Sequence, residues 1–454
     1  MVELALTNPE APPFAAVVKA WNDDFHGDLG LAAVDFRSLA PQFATRDLST
    51  HLLHPYPAKL IPEIPHLFLR SGLVDATKKH TRIADPFCGS GTVLLEAVLA
   101  GYDAIGADPN PLARLISRVK TRPIEIDRIK RALVNVSTWS SSMKDAEVPP
   151  IVNVRYWYSS RIVDGLAKLR ASVARLRSED VREFMQACLS VCARRLSYAD
   201  PRLSVPVKIY RSRKLKYGPH FRQLNNHLRF LRHVDVSAFF NNIAIRNIDR
   251  VAALNGSLTR RPNVSILNDA RGLEHEVAPN SIDLVITSPP YLGAQKYIRS
   301  SALSLGWTDL AYAGELRSLE IKTLGREHYH QEEVGKAPRS GLNEADAILE
   351  AIALQNPLRA HIAWMYLQEM EAAIRSISCV MRQGAYAIIV VGSNTICGRH
   401  FDTPRFVEVL AQRSGLVSQF KLLDHIRSRG LMTKRNKTAG LISSEVVLCL
   451  RKQS

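Results

Sequence analysis

The chain has 454 residues, with 60 Lys and Arg against 43 Asp and Glu, a net charge of +17. Its 46% hydrophobic and 23% charged residues describe a chain that buries a large core, which excludes disordered, collagen-like and coiled-coil classes. No apolar run is long enough for a transmembrane helix, no secretory signal is visible, and six scattered cysteines make no disulfide framework, so no membrane partner and a reducing cytoplasm are expected. The basic balance is either a solvated excess or the mark of a polyanionic partner.

In chain order, residues 1–50 read as a mixed N-terminal arm without strong periodicity. Four prolines make 51–65 an ordered, non-helical loop. A strand is predicted over 81–84, followed by the turn Asp85-Pro86-Phe87-Cys88-Gly89-Ser90-Gly91. A helix over 92–100 comes next, stopped by Gly101, then a strand over 102–107 that ends in Asp108. This is a βαβ unit, which implies parallel pairing. Helical patterns at 162–176 and 181–196 precede a stretch, 202–233, with nine Lys and Arg and no acid. Arg211, Arg213, Lys214 and Lys216 lie in it, interleaved with Tyr210, Tyr217 and Phe221. Strands return at 264–267 and 282–287, the second apolar enough for a buried parallel strand. Residues 303–358 read as polar helix or loop, 363–381 as a helix, 385–391 and 444–450 as strands. The expected architecture is α/β, a mostly parallel Rossmann-like sheet. One domain, 51–125 with 263–454, is split by a helical basic insert at 126–262.

Two turns carry chemistry. Gly89-Ser90-Gly91 permits a tight turn and close backbone approach at a helix N-terminus, and Asp108 lies where a carboxylate can accept from both ribose hydroxyls. Asp85 would face the same crevice. Thr92 stands where a dinucleotide fingerprint continues, so a nucleoside carrying a cationic group fits better than a pyrophosphate; a purely structural βα turn is the alternative. The second turn is Ser288-Pro289-Pro290-Tyr291, at the end of the strand 282–287. Two prolines leave carbonyls as free acceptors in a rigid turn, Ser288 adds a hydroxyl, and Tyr291 offers a flat face. Such a turn suits an exocyclic amine on an aromatic base, held through its N–H protons while the ring stacks. A dull alternative is a proline-rich strand end with a buried tyrosine.

Together these residues resemble the DNA amino-methyltransferases. Asp85–Thr92 is similar to their cofactor motif, and Thr287-Ser288-Pro289-Pro290-Tyr291 to their catalytic motif in the serine form typical of cytosine-N4 enzymes. His54-Pro55-Tyr56-Pro57-Ala58-Lys59 resembles the segment beside the methionine end of the cofactor, and Asn268-Asp269-Ala270-Arg271 the segment at its adenine. The resemblance implies a class I methyltransferase fold and S-adenosyl-L-methionine as cofactor, held by Tyr56, Asp85, Phe87, Gly89, Ser90, Gly91, Asp108 and Asp269. It also implies double-stranded DNA as substrate, base flipping, and a restriction-modification setting with a cognate endonuclease as candidate partner. The motif order places target recognition in 126–262, whose Arg211, Arg213, Lys214 and Lys216 would contact phosphates; a solvated face is the alternative, and 303–358 is a second candidate for base recognition.

Carbon-5 cytosine methylation is disfavoured, because no cysteine follows a proline. Cys188 and Cys192 read as core residues, and no metal is expected of His51, His54 and His66. Adenine-N6 methylation and guanine-N2 methylation of RNA are the enzyme alternatives; an inactive nucleic-acid-binding module is the non-enzyme one.

Overall fold

The computed structural model describes residues 14–24, 31–40, 49–57, 59–75, 78, 80–210, 212, 217–293, 296–326, 329–334, 339–426 and 442–453. Its strands are β1 (Ala32–Ala33), β2 (Arg82–Asp85), β3 (Asp103–Ala107), β4 (Val264–Leu267), β5 (Ile282–Thr287), β6 (Met381–Val391), β7 (Asn394–Ile396), β8 (Arg399–Phe401), β9 (Leu416–His425) and β10 (Ser444–Lys452). Eight of them form one sheet in the order β1-β9-β10-β6-β5-β2-β3-β4. All its pairings are parallel except those of β10, which is antiparallel to both β6 and β9. The expected α/β fold with a mostly parallel sheet is therefore present.

The order decides where a ligand can lie. From β2 the chain moves outward through β3 to β4, then returns to place β5 on the other side of β2. Strand order reverses between β2 and β5, and the carboxyl ends of these strands open a crevice at that point. The Gly-rich turn follows β2, and the Ser-Pro-Pro-Tyr turn follows β5. Why β5 is central is legible locally. Leu284, Val285 and Ile286 are buried on both faces of the sheet, while Asp283, near its amino end, pairs with Lys78 at 2.7 Å and Arg382 at 3.2 Å.

Helices Glu63–Leu69 and Thr92–Leu99 cover one face, and Pro357–Val380 and Thr403–Arg413 the other, each closing an apolar core. A third core lies in 126–262. There Ile126–Ser142, Ser160–Ala174, Glu179–Arg195 and Val236–Ser257 pack together and against Pro111–Thr121 and Tyr297–Trp307. Cys188 and Cys192 are buried in it, and Trp307 meets Tyr158 edge-on with ring centres 5.8 Å apart.

The N-terminal stretch contributes more than its sequence pattern suggested. Helix Phe14–Asp24 packs against the sheet, β1 adds an edge strand through the register Ala32 to Leu422 and Ala33 to Leu423, and Phe36 is fully buried. Two residues are too short a strand for period-two alternation to register. The loop predicted over 51–65 opens with a 3-10 turn, Ser49–Leu52, and gives way to helix at Glu63. The long helix before β6 begins at Pro357, six residues earlier than its apolar pattern, because Asn356 caps it with Pro357 in its first turn.

Candidate active site

The Gly-rich turn owes its shape to two residues in the left-handed region, Gly89 at φ 49° and Gly91 at φ 77°. Gly91 is also confined, since a Cβ there would stand 2.8 Å from Ser117 Oγ and 3.1 Å from Ser117 Cα. The Gly91 amide donates to Cys88 O at 2.7 Å, and Ser117 Oγ donates to Gly89 O at 2.9 Å. Ser90 is buried, and its hydroxyl has no hydrogen-bond partner among the described residues.

Asp108, just past β3, is gripped by this turn. Its Oδ2 accepts from the Gly89 amide at 3.1 Å and its Oδ1 from the Asn110 amide at 2.8 Å. Burial pushes its carboxyl up to about 6 in spite of those amides and of Arg114. Asp85, at the end of β2, accepts from the Phe87 amide at 3.2 Å and from Thr287 Oγ1 at 2.7 Å, and burial pushes it up to about 7. Phe87 is half-buried against the core beneath Pro357–Val380.

Tyr56 reaches the same turn from the proline-rich loop. Its ring lies over Gly89, 3.9 Å from where a Cβ would stand, and its hydroxyl accepts from Asn110 Nδ2 at 3.0 Å. Asn110 also donates to Ser301 Oγ at 3.0 Å and caps helix Pro111–Thr121 by accepting from the Leu112 amide at 3.0 Å. Behind Tyr56, His51 and His66 meet Glu96 at 2.8 and 3.0 Å. Burial raises the Glu96 carboxyl, but the two histidine contacts outweigh it and hold the group at about 2. His54 makes no such contact; both ring nitrogens are buried without a partner among the described residues.

The catalytic-type turn follows directly on β5. Ser288 and Pro290 are half-buried and Pro289 buried. Tyr291 Oη donates to Glu445 Oε1 at 2.7 Å; burial, then the Glu445 charge, push the phenol up, with the Ser288 hydroxyl acting in the opposite sense. Asp269 lies just beyond β4, on the Asp108 side, where the Asp108 amide donates to Leu267 O at 3.2 Å. Its carboxylate accepts from the Arg271 amide at 2.9 Å and pairs with the Arg271 guanidinium at 2.6 Å, whose other arm holds Glu369 at 2.9 Å.

The structure thus brings Tyr56, Asp85, Gly89, Ser90, Gly91 and Asp108 to one turn, sets Ser288 to Tyr291 beside it through Thr287, and holds Asp269 on an arginine at the far end of the crevice. Arg211, Arg213, Lys214 and Lys216 lie outside the described residues. Asn110, Ser301 and Glu445 were not singled out from the sequence. Asn110 carried a signal, being a capping residue before a proline at the first helical position; Ser301 and Glu445 act across 191 and 154 residues of chain and carried none.

The donor set fits a cationic nucleoside. The unpartnered Ser90 hydroxyl and two carboxyls destabilised by burial would each gain a partner or a counter-charge.

Residues 56–138 match the family model described as UPF0020, RMKL-like, methyltransferase domain. The type II methyltransferase M.MvaI of Kocuria varians is 23% identical over 441 residues, covering 90% of this chain and 92% of that protein. The type II methyltransferase M.MjaII of Methanocaldococcus jannaschii is 34% identical over 95 residues, 20% of this chain and 16% of its own length. Among solved structures, an S-adenosylmethionine-dependent methyltransferase from Methanosarcina mazei is 9% identical with a TM-score of 0.29, covering 83% of this chain and 94% of its own. Residues 56–138 thus carry the likeness to a methyltransferase domain, and the chain is similar along nine-tenths of its length to a type II methyltransferase.

Proposed function

We propose that this chain is a site-specific DNA methyltransferase that moves a methyl group from S-adenosyl-L-methionine to the exocyclic N4 amine of cytosine in double-stranded DNA. The observation that carries the reading is the 2.7 Å hydrogen bond from Thr287 Oγ1 to Asp85 Oδ1. It ties the strand that leads into the cofactor turn to the strand that leads into the Ser-Pro-Pro-Tyr turn, at the point where strand order reverses. Likeness to a type II methyltransferase over 90% of the chain supports DNA as the polyanion that the +17 charge calls for.

When bound, the cofactor supplies an electrophilic methyl group on a sulfonium. Asp108 accepts hydrogen bonds from the ribose hydroxyls. Asp85 and the Gly89-Ser90-Gly91 turn hold the methionine end with Tyr56 and Phe87 beside them, and Asp269 holds the adenine side. Ser288 Oγ and the Pro289 carbonyl accept the two N–H bonds of the target amine, which localises its lone pair on nitrogen, and Pro290 keeps the turn rigid. Tyr291 stacks on the flipped ring, a contact of about 1–3 kcal/mol. The serine at 288 supports cytosine N4. Residues 126–262 are the proposed target-recognition region, with Arg211, Arg213, Lys214 and Lys216 on phosphates, and type II relatives support a restriction-modification setting with a cognate endonuclease. No described helix is long and apolar enough to cross a membrane.

The test is mass spectrometry of nucleosides from DNA treated with enzyme and cofactor. N4-methylcytosine is expected; N6-methyladenine would overturn the base assignment, and modified guanine in RNA alone would overturn the substrate. Tyr291→Ala is expected to lose more than about 100-fold in kcat with cofactor affinity retained, since a base left unstacked is no longer held at the reacting distance.

A further inference from the structure

Resting on the reading that Ser288 to Tyr291 form the catalytic turn, we infer that Glu445 is a positioning residue of this enzyme, holding the Tyr291 ring in the plane on which the target base stacks. The contact is specific. Glu445 is the second residue of β10, the one antiparallel strand of the large sheet, and its Oε1 accepts from Tyr291 Oη at 2.7 Å across 154 residues of chain.

The ring itself is caged as well as tethered. It packs, partly buried, on the apolar core beneath Pro357–Val380, and Gly392, just past β6, lies beside its Cε2 edge, where a Cβ would stand at 3.4 Å. One edge is thus fixed by apolar contact and the far end by the carboxylate, so rotation about either side-chain bond costs a contact. A stacking face is useful only if its plane is set before the base arrives.

A second acid stands opposite Glu445. Glu445 pairs across the sheet with Asp424 of β9, and Asp424, almost fully buried, faces Arg37 at 3.6 Å from the short helix Phe36–Leu39. Arg37 pairs with Asp424 and acts on Glu445 through its charge alone. Burial, and then the Asp424 charge, raise the Glu445 carboxyl, while the Tyr291 hydroxyl and Arg37 act the other way. Arg37 thus brings a positive charge from the N-terminal stretch toward the carboxylate that holds Tyr291.

The test is a double-mutant cycle on methyl incorporation into unmethylated plasmid DNA, with a cofactor-binding titration as the check on folding. Glu445→Ala is expected to lower kcat by about tenfold, while the cofactor Kd and the KM for DNA move by less than about twofold. Glu445→Gln still offers an acceptor oxygen and is expected to recover most of that loss. In a Tyr291→Phe background the hydroxyl is gone, so adding Glu445→Ala should cost nearly nothing more. Equal losses in both backgrounds, or a glutamine variant as impaired as the alanine one, would overturn the proposal. Tyr291→Ala at full activity would instead overturn the catalytic turn on which it rests, so the two failures are distinguishable.

Discussion

Thr287→Val keeps the branched shape of a side chain that is 1% exposed and removes only its hydroxyl. Asp85 then loses its donor at 2.7 Å and keeps the Phe87 amide at 3.2 Å. A buried acceptor deprived of a partner costs about 1–3 kcal/mol, and the cost falls on the ionised carboxylate. Burial already holds this carboxyl at about 7 against a usual 3.8. Its contribution to the stability of the ligand-free chain is therefore full below 3.8 and lost as pH rises through 7. A bound cation reverses that preference, so cofactor binding should expel a proton below pH 7, and affinity should climb with pH and level off above it. Without the Thr287 hydroxyl the levelling point moves up. The expected result is a Kd weakened by roughly tenfold near neutrality and closer to the parent about two pH units higher, read by titration calorimetry in buffers of different ionisation enthalpy. Parent affinity at both pH values, or an equal loss at both, would refute the assignment of Asp85 to the cationic end of the cofactor.

Gly91→Ala forces a side chain into φ 77° and against the Ser117 backbone at 3.1 Å, which no rotamer change relieves. A fall of several degrees in Tm and near-complete loss of cofactor binding are expected by thermal melting and calorimetry; an unchanged melt would show that the turn has room to move. Lys120 is fully buried, and its Nζ has no partner among the described residues; burial holds it well below its usual range. Such a group contributes stability above its unfolded pKa and loses it as pH falls, so Lys120→Met should raise Tm, and more at pH 7 than at pH 10; a lower Tm at pH 7 would point to an unrecognised partner for the ammonium.

Where the sequence spoke clearly, the reason is local. β4 and β5 have the predicted limits because short apolar runs bounded by turn residues leave little choice of period. The β2, Gly-rich turn and Thr92–Leu99 sequence was legible because a strand, two glycines with positive φ and an apolar helix must follow one another in that order. β9 and helix Thr403–Arg413 were not read, although Asp402 and Pro404 form an ordinary cap. β9 sets the half-buried run Val417, Ser418 and Gln419 before buried Phe420 and Leu422, and its pairing with β10 and β1 makes it a strand.

The site divides along the same line. Asp85 and the two turns were legible as candidates because each lies within a short run of chain, and Asp108 because it ends the strand that follows. What holds those turns in place is long-range, and one-dimensional pattern cannot express it. Thr287 was read as the first residue of the catalytic motif, yet its measurable contribution in the fold is a hydrogen bond to a cofactor-side carboxyl 202 residues away. Asn110 joins Tyr56 to Ser301 across 54 and 191 residues. Glu445 reaches Tyr291 from the last strand. Each of these residues is small or polar, and each makes its contact with a side chain that the motifs already named. Supporting residues of this kind are therefore found by asking of every motif side chain which atom satisfies its polar end, a question that geometry answers and composition does not.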